Sequence, residues 1–211
     1  MKCWICGGAG NSGEHMIKAS DLKLFFPSIS QKEPIVFKQD NGSEIKVISS
    51  VKNKCFHASA KICTKCNNVR TSIHDRSWSE MAKYLHKNKD MSDIDFREIW
   101  GDEYKHNMLN VHLYFAKILG CYVESANLEG VNIPLDTRQL ATSILNGKEN
   151  KNILLSFHKM KYSNGPQLSD VLAELNPASG EVMYCYFFYI LGNMLLESLT
   201  LTFSKFILIW S

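Results

Sequence analysis

The chain has 211 residues, of which 45% are hydrophobic and 21% charged, with a formal net charge of +3. That length suits one or two packed domains, and the apolar content excludes disordered, collagen-like, coiled-coil and low-complexity chains. The start, Met1-Lys2-Cys3-Trp4, lacks the apolar stretch of a cleaved secretory signal, so a cytoplasmic protein is expected. In a reducing compartment its seven cysteines, which include two Cys-x-x-Cys pairs, read as metal ligands before they read as disulfides.

The charge is unevenly placed. Residues 1–90 hold 15 Lys+Arg against 8 Asp+Glu, net +7, and the remaining 121 residues hold 9 against 13, net −4. A basic first half followed by a mildly acidic, more hydrophobic one suggests a polyanion-binding module joined to something different; a solvated lysine surface is the plainer explanation.

Cys3-Trp4-Ile5-Cys6 and Cys63-Thr64-Lys65-Cys66 are the strongest signal. Each pair can bite a metal from one tight turn, and the two together make the closed tetrahedral thiolate set of a structural Zn²⁺. Gly7 and Gly8 follow the first pair, where backbone amides must curl toward the thiolates without side-chain obstruction. A thioredoxin-like redox role would need a following helix in a βαβ context, which residues 1–20 do not supply. Cys55, Cys121 and Cys185 read as ordinary buried residues, and Trp4 as packing on the zinc core.

Gly13-Glu14-His15-Met16-Ile17 comes next, ahead of a helix start at Ser20-Asp21-Leu22. Ile35-Val36-Phe37 and Glu44-Ile45-Lys46-Val47-Ile48, joined through Asn41-Gly42, predict a hairpin. After Cys63 a short helix is expected, and helical spacing places Asn67, Arg70 and His74 on one face of it. Knuckle, strand pair and helix around one zinc make up the treble-clef arrangement.

Residues 75–87 predict an amphipathic helix whose stripe of Trp78, Met81, Ala82 and Leu85 packs on the zinc module. Asp75 reads there as an N-cap, with His74 exposed beside it or supplying a metal or phosphate contact. A longer helix is predicted over 104–122, with Met108, Val111, Phe115, Ile118, Leu119 and Tyr122 on one side, ended by Gly120 and the turn after it. His106 and His112 fall within it at a spacing that does not suit a shared metal. Asp136 or Thr137 caps a further helix through Leu140, Ile144 and Leu145, stopped by Gly147. Ile153-Leu154-Leu155-Ser156-Phe157 predicts a strand and Ser163-Asn164-Gly165-Pro166 a turn.

From Val182 onward the chain is unusually apolar, but Gly192-Asn193 and Glu197 interrupt it before the ~20 residues that a membrane helix needs. The alternation of Leu199-Thr200-Leu201-Thr202-Phe203 predicts two or three strands instead, with no membrane association. The apolar end, Phe206-Ile207-Leu208-Ile209-Trp210-Ser211, reads as an edge strand covered by a partner or as a chain that continues.

Taken in order, Cys3, Cys6, Glu14, His15, Cys63, Cys66, Asn67 and Arg70 resemble the HNH endonucleases, in the zinc-stapled form with a Glu-His or Asp-His first motif and Cys-Asn after the last knuckle. The resemblance covers roughly residues 1–85. It implies His15 as general base, Glu14 and Asn67 as ligands of a catalytic Mg²⁺ or Mn²⁺, and Arg70 against the nucleic-acid phosphate, with Lys65 and His74 as further contacts. The family's middle Asn, which orients the catalytic His, has no counterpart in His57-Ala58-Ser59-Ala60-Lys61-Ile62, where Ser59 or His57 could take over. The insertion between His15 and Cys63 is also long for the pattern. The residue types suit phosphodiester hydrolysis: imidazole titrates near neutrality and can activate water, and a hard cation on oxygen ligands can polarise the phosphoryl group.

These readings define an α+β protein. A zinc-bound treble clef of the HNH (ββα-metal) type is expected over residues 1–88, and an α/β accessory domain ending in β-strands over 89–211. The expected function is metal-dependent hydrolysis of DNA, with RNA as the alternative substrate, in the phage, mobile-element or bacterial-defence settings where such nucleases occur. Two rivals from other classes are a zinc-containing nucleic-acid-binding module without catalysis and an adaptor. The apolar C-terminal half would serve the adaptor as a surface for a protein partner or a second copy.

Overall fold

The computed structural model describes residues 1–25, 27–32, 34–38, 45–88, 94–133, 135–151, 153–160, 175–176, 181–182, 196–203 and 206–208. It mixes helix and strand, and the chain divides into two compact units.

The first unit comprises Met1–Ile35, Ile48–Tyr84 and Asp95–Asn150. It opens with a tight loop in which Cys3 N donates to Gly8 O (2.7 Å) and Gly7 N to Cys3 O (2.7 Å). Gly7 has φ +75°, a conformation that side chains disfavour, which is why glycine follows the first cysteine pair. Strand β1 (Ser12–His15) pairs antiparallel with β4 (His57–Ile62) through Ser12↔Ile62, Gly13↔Lys61 and His15↔His57. The register shifts between Gly13 and His15, so Glu14 alone lies across from Ala58, Ser59 and Ala60. Such a bulge bends the strand pair and re-aims the side chains beside it.

Helix α1 (Ala19–Phe25) follows β1, and a π-helical turn, Lys65–Arg70, leads into α2 (Ser72–Lys87). Helix α3 (Phe96–Trp100) is capped by Asp95, whose carboxylate accepts from Arg97 N at 2.9 Å, and is tied to α2 by Trp100 Nε1 donating to Glu80. The centre of the unit is α4 (Tyr104–Leu128), which is buried almost continuously from Asn110 to Cys121. It packs on β4, where the small Ala58 and Ala60 let it approach, and where Ser125 Oγ accepts from Ala60 N at 2.9 Å. Trp78 of α2 stacks on Tyr114 and meets Phe115 edge-on, so the apolar stripe expected over 75–87 faces α4.

Helix α4 outruns its expected end. Gly120 does not stop it; a Cβ there would lie 2.2 Å from the Trp4 ring, so glycine makes room for an indole from the first cysteine loop. Trp4 Nε1 donates to Cys121 Sγ at 3.3 Å. Helix α4 thus packs directly on the cysteine loop and on β4, and the first unit takes in residues as far as Asn150. Helix α5 (Thr137–Asn146) matches its expected limits: the Asp136 carboxylate accepts from Arg138 N at 3.0 Å, and Gly147 ends it at φ +61°.

The second unit comprises Val36–Val47, Leu85–Ile94 and Lys151–Ser211. Strands β2 (Ile35–Lys38) and β3 (Ile45–Ile48) form the expected pair. Strand β5 (Leu154–Met160) pairs antiparallel with β8 (Leu196–Phe203) from Leu154↔Thr202 to Met160↔Leu196, and β8 pairs with β9 (Phe206–Leu208). Two short strands, β6 (Leu175–Asn176) and β7 (Glu181–Val182), pair with each other. The expected strands near residues 153–157 and 199–203 are thus present. The turns at Asn41-Gly42 and Ser163-Asn164-Gly165-Pro166, and Cys185, lie outside the described residues. No helix among the described residues is long and apolar enough to cross a membrane.

Candidate metal centre and histidine site

The two cysteine turns meet. The sulfur atoms of Cys3, Cys6, Cys63 and Cys66 all lie within 4.8 Å of one another, with Cys6 and Cys63 at 3.6 Å. Zinc bonds to sulfur at about 2.3 Å in tetrahedral geometry, which sets sulfurs roughly 3.8 Å apart, so the cluster fits such an ion. Four cysteines in this arrangement could bind a metal such as zinc. The backbone amide of Cys66 draws the Cys63 thiol down to about 7, and burial pushes the Cys66 thiol up. Arg70 Nη1 donates to Cys66 Sγ at 3.0 Å, so the guanidinium expected on phosphate is turned toward a cysteine sulfur.

Asn67, next to Cys66, ties the same turn to the hairpin by donating from Nδ2 to Ser12 Oγ (2.9 Å) and Gly13 O (3.1 Å). Two residues further along β1 the His15 ring lies against that of His57, with centroids 3.8 Å apart and planes at 45°. His15 Nε2 is buried and without a hydrogen-bond partner. Burial first, and the neighbouring His57 second, hold the His15 imidazole below its ordinary value, which favours the neutral ring. Of the two stand-ins for the middle Asn, Ser59 donates instead to Glu129 Oε1 (2.8 Å), which leaves His57 as the side chain in contact with His15.

Glu14 does not join this group. Its carboxylate is buried and lies 3.2 Å from Lys117 Nζ, which also bonds Asp75 Oδ1 at 2.7 Å. Burial pushes the Glu14 carboxyl up, partly offset by Lys117. For Lys117 burial alone would lower the ammonium, but the Glu14 and Asp75 carboxylates outweigh it and keep the charge. Lys18 extends the network, donating to Asp75 O (2.5 Å) and Ser79 Oγ (2.7 Å).

Asp75 is accordingly no N-cap, since α2 begins at Ser72. His74 is no surface contact either. It is 5% exposed, and its Nδ1 pairs with Asn110 Oδ1 at 3.0 Å. The shared face expected for Asn67, Arg70 and His74 fails because Lys65–Arg70 is wound as a π-helix, whose wider turn breaks α-helical spacing. Lys65 is exposed on that turn.

Lys117 belongs to no motif in the sequence; its one signal there is a lone charge in the run Tyr114-Phe115-Ala116-Lys117-Ile118-Leu119, where an interior helix position should be apolar.

No protein-family model matches the chain, and searches of curated proteins and of solved structures find no match.

Proposed function

We propose that the chain is a zinc-stapled endonuclease of the HNH type that hydrolyses DNA phosphodiester bonds, with His15 as the general base. The observation that carries this reading is the unpaired, buried Nε2 of a neutral-leaning His15, held on a bulged hairpin beside a four-cysteine cluster. In this reading the cysteines hold zinc and do no chemistry; the ion joins the first loop to the turn that carries Asn67. In the same reading the cysteine loop, the β1–β4 strand pair and the turn into α2 make up a treble clef.

His15 would take the proton of the attacking water at Nε2 as the water oxygen bonds to phosphorus and the bond from phosphorus to the 3′ oxygen breaks, that oxygen taking a proton from solvent as it leaves. His57 packs against the ring and restricts its rotation. Lys65, exposed on the turn after the second cysteine pair, supplies phosphate affinity, together with the net +7 of residues 1–90. The Mg²⁺ or Mn²⁺ implied by the resemblance would take Glu14 and Asn67 as ligands. That pair does not fit, because Glu14 is paired with Lys117 inside the fold while the Asn67 amide bonds β1.

The same absence of a joint ligand pair favours a second reading, a zinc-containing nucleic-acid-binding module without catalysis. A supercoiled-plasmid nicking assay with Mg²⁺, Mn²⁺ or EDTA, comparing the wild type with His15→Ala at matched zinc content, separates the two. Nicking lost in His15→Ala supports the nuclease. Salt-sensitive DNA binding with no nicking by either protein establishes the binding module in its place. No affinity for DNA or RNA, with a concentration-dependent protein interface, favours the adaptor instead.

A further inference from the structure

We propose that Lys117, in the middle of α4, is a positioning residue that draws Glu14 into the interior and thereby fixes β1 so that His15 lies against His57; Glu14 is then the anchor of the strand and not a ligand of a catalytic ion. This rests on the reading of His15 as the base.

The geometry is specific. The Lys117 side chain is 0% exposed, and the side chains of its partners Glu14 and Asp75 are 11% and 22% exposed. An ammonium removed from water must be matched by carboxylates, and a carboxylate in the same interior must be matched by a cation, so neither partner is free to leave the other. Glu14 is the residue at the register shift, and His15 is the next residue, paired with His57. A pull on Glu14 therefore sets the rotation of the strand at the position that presents the imidazole. Lys18 holds the other end of this segment to α2. A divalent ion on the Glu14 carboxylate would stand beside the Lys117 charge in a poorly screened interior, where like charges repel strongly.

The test uses the full chain in three variants: Glu14→Gln, Lys117→Met and Glu14→Gln/Lys117→Met. Each is measured for zinc content, Tm, plasmid nicking and the two-dimensional NMR signals of the His15 imidazole, assigned by their loss in His15→Gln. Gln can still accept from Lys117, so Glu14→Gln is expected to nick within about threefold of wild type. Lys117→Met is expected to lower kcat at least about tenfold with KM changed by less than about twofold, and to shift the His15 signals. Removing one partner strands the other, so Lys117→Met also lowers the Tm; the double variant restores the Tm toward wild type, while kcat and the His15 signals stay as in Lys117→Met because the pull on residue 14 is still missing.

A loss of nicking of about a hundredfold or more in Glu14→Gln, with Tm and His15 signals unmoved, would make Glu14 a catalytic group and overturn the proposal. So would His15 signals that stay in place in Lys117→Met. If the wild type does not nick at all, the nuclease reading falls, while the His15 signals still decide whether Lys117 positions that ring.

Discussion

The rings of His15 and His57 meet across the hairpin at 3.8 Å, at the one position where β1 and β4 pair after the register shift. A positive charge on the His57 ring, so close by, opposes protonation of His15.

The pH dependence of nicking should show this directly. His15 sits below its ordinary 6.5, through burial and then His57. Activity that needs neutral His15 rises with pH through that lowered value and levels off earlier than an exposed imidazole would. His57→Gln removes the neighbouring cation and should move the rising limb to higher pH, while burial still holds it under 6.5. A limb that stays put, measured as log kcat/KM against pH, would remove His57 from the electrostatics of His15.

Stability should fall on acidification for the same physical reason. His15, His74 and His112 are each lowered, with burial the first cause. Between 6.5 and their folded-state values the unfolded chain binds more protons than the folded one. Stability is therefore complete above 6.5 and is lost as pH falls through the folded values. His112 Nε2 accepts from Asn150 N at 3.0 Å, a bond that a glutamine oxygen could replace. His112→Gln should flatten the plot of Tm against pH relative to wild type; an unchanged slope would remove His112 from the set.

Metal removal should act on the fold before it acts on chemistry. The wild type is expected to carry one zinc per chain by elemental analysis and to release protons on loading, because Cys66 and Cys3 hold theirs more tightly than a free thiol. Structural zinc supplies about 10 kcal/mol or more of apparent binding energy to small zinc folds, so chelation or Cys66→Ser should unfold the loop and hairpin. Chelation that leaves Tm and circular dichroism unchanged would show that the cluster is not a structural site.

Gly120→Ala puts a methyl group where the Trp4 ring lies 2.2 Å away. Overpacking of this kind costs about 1–3 kcal/mol, and Trp4 has the whole of α4 behind it, so the upper part of that range is expected. Trp4→Leu/Gly120→Ala should recover part of the loss. Chemical denaturation of the four proteins measures the coupling, and additive losses would mean that the two side chains do not meet.

What the sequence made legible was local. Two cysteine pairs with glycines after the first, a capped helix ending at Gly147 and an alternating run at 199–203 each carry their cause within a few residues. The partner of Glu14 is an interior lysine on α4, and no local pattern gives the sign or the distance of that pairing. Gly120 was read as a terminator for a related reason: a glycine that ends a helix and one that admits a ring look alike until Trp4 is placed beside it. His74 was lost to a change of helical pitch at Lys65–Arg70, which spacing rules cannot anticipate.

The Trp4 indole reaches Cys121 across a sequence separation of 117 residues. During synthesis the cysteine loop leaves the ribosome before α4, yet the helix residue on which its indole rests follows 117 residues later. Contacts so distant in sequence carry a large entropic cost of loop closure and form slowly. The order of assembly is thereby set: metal can join the two cysteine turns early, but the tryptophan waits for α4, and a chain cut short before that helix would carry a bare aromatic side chain next to its metal loop.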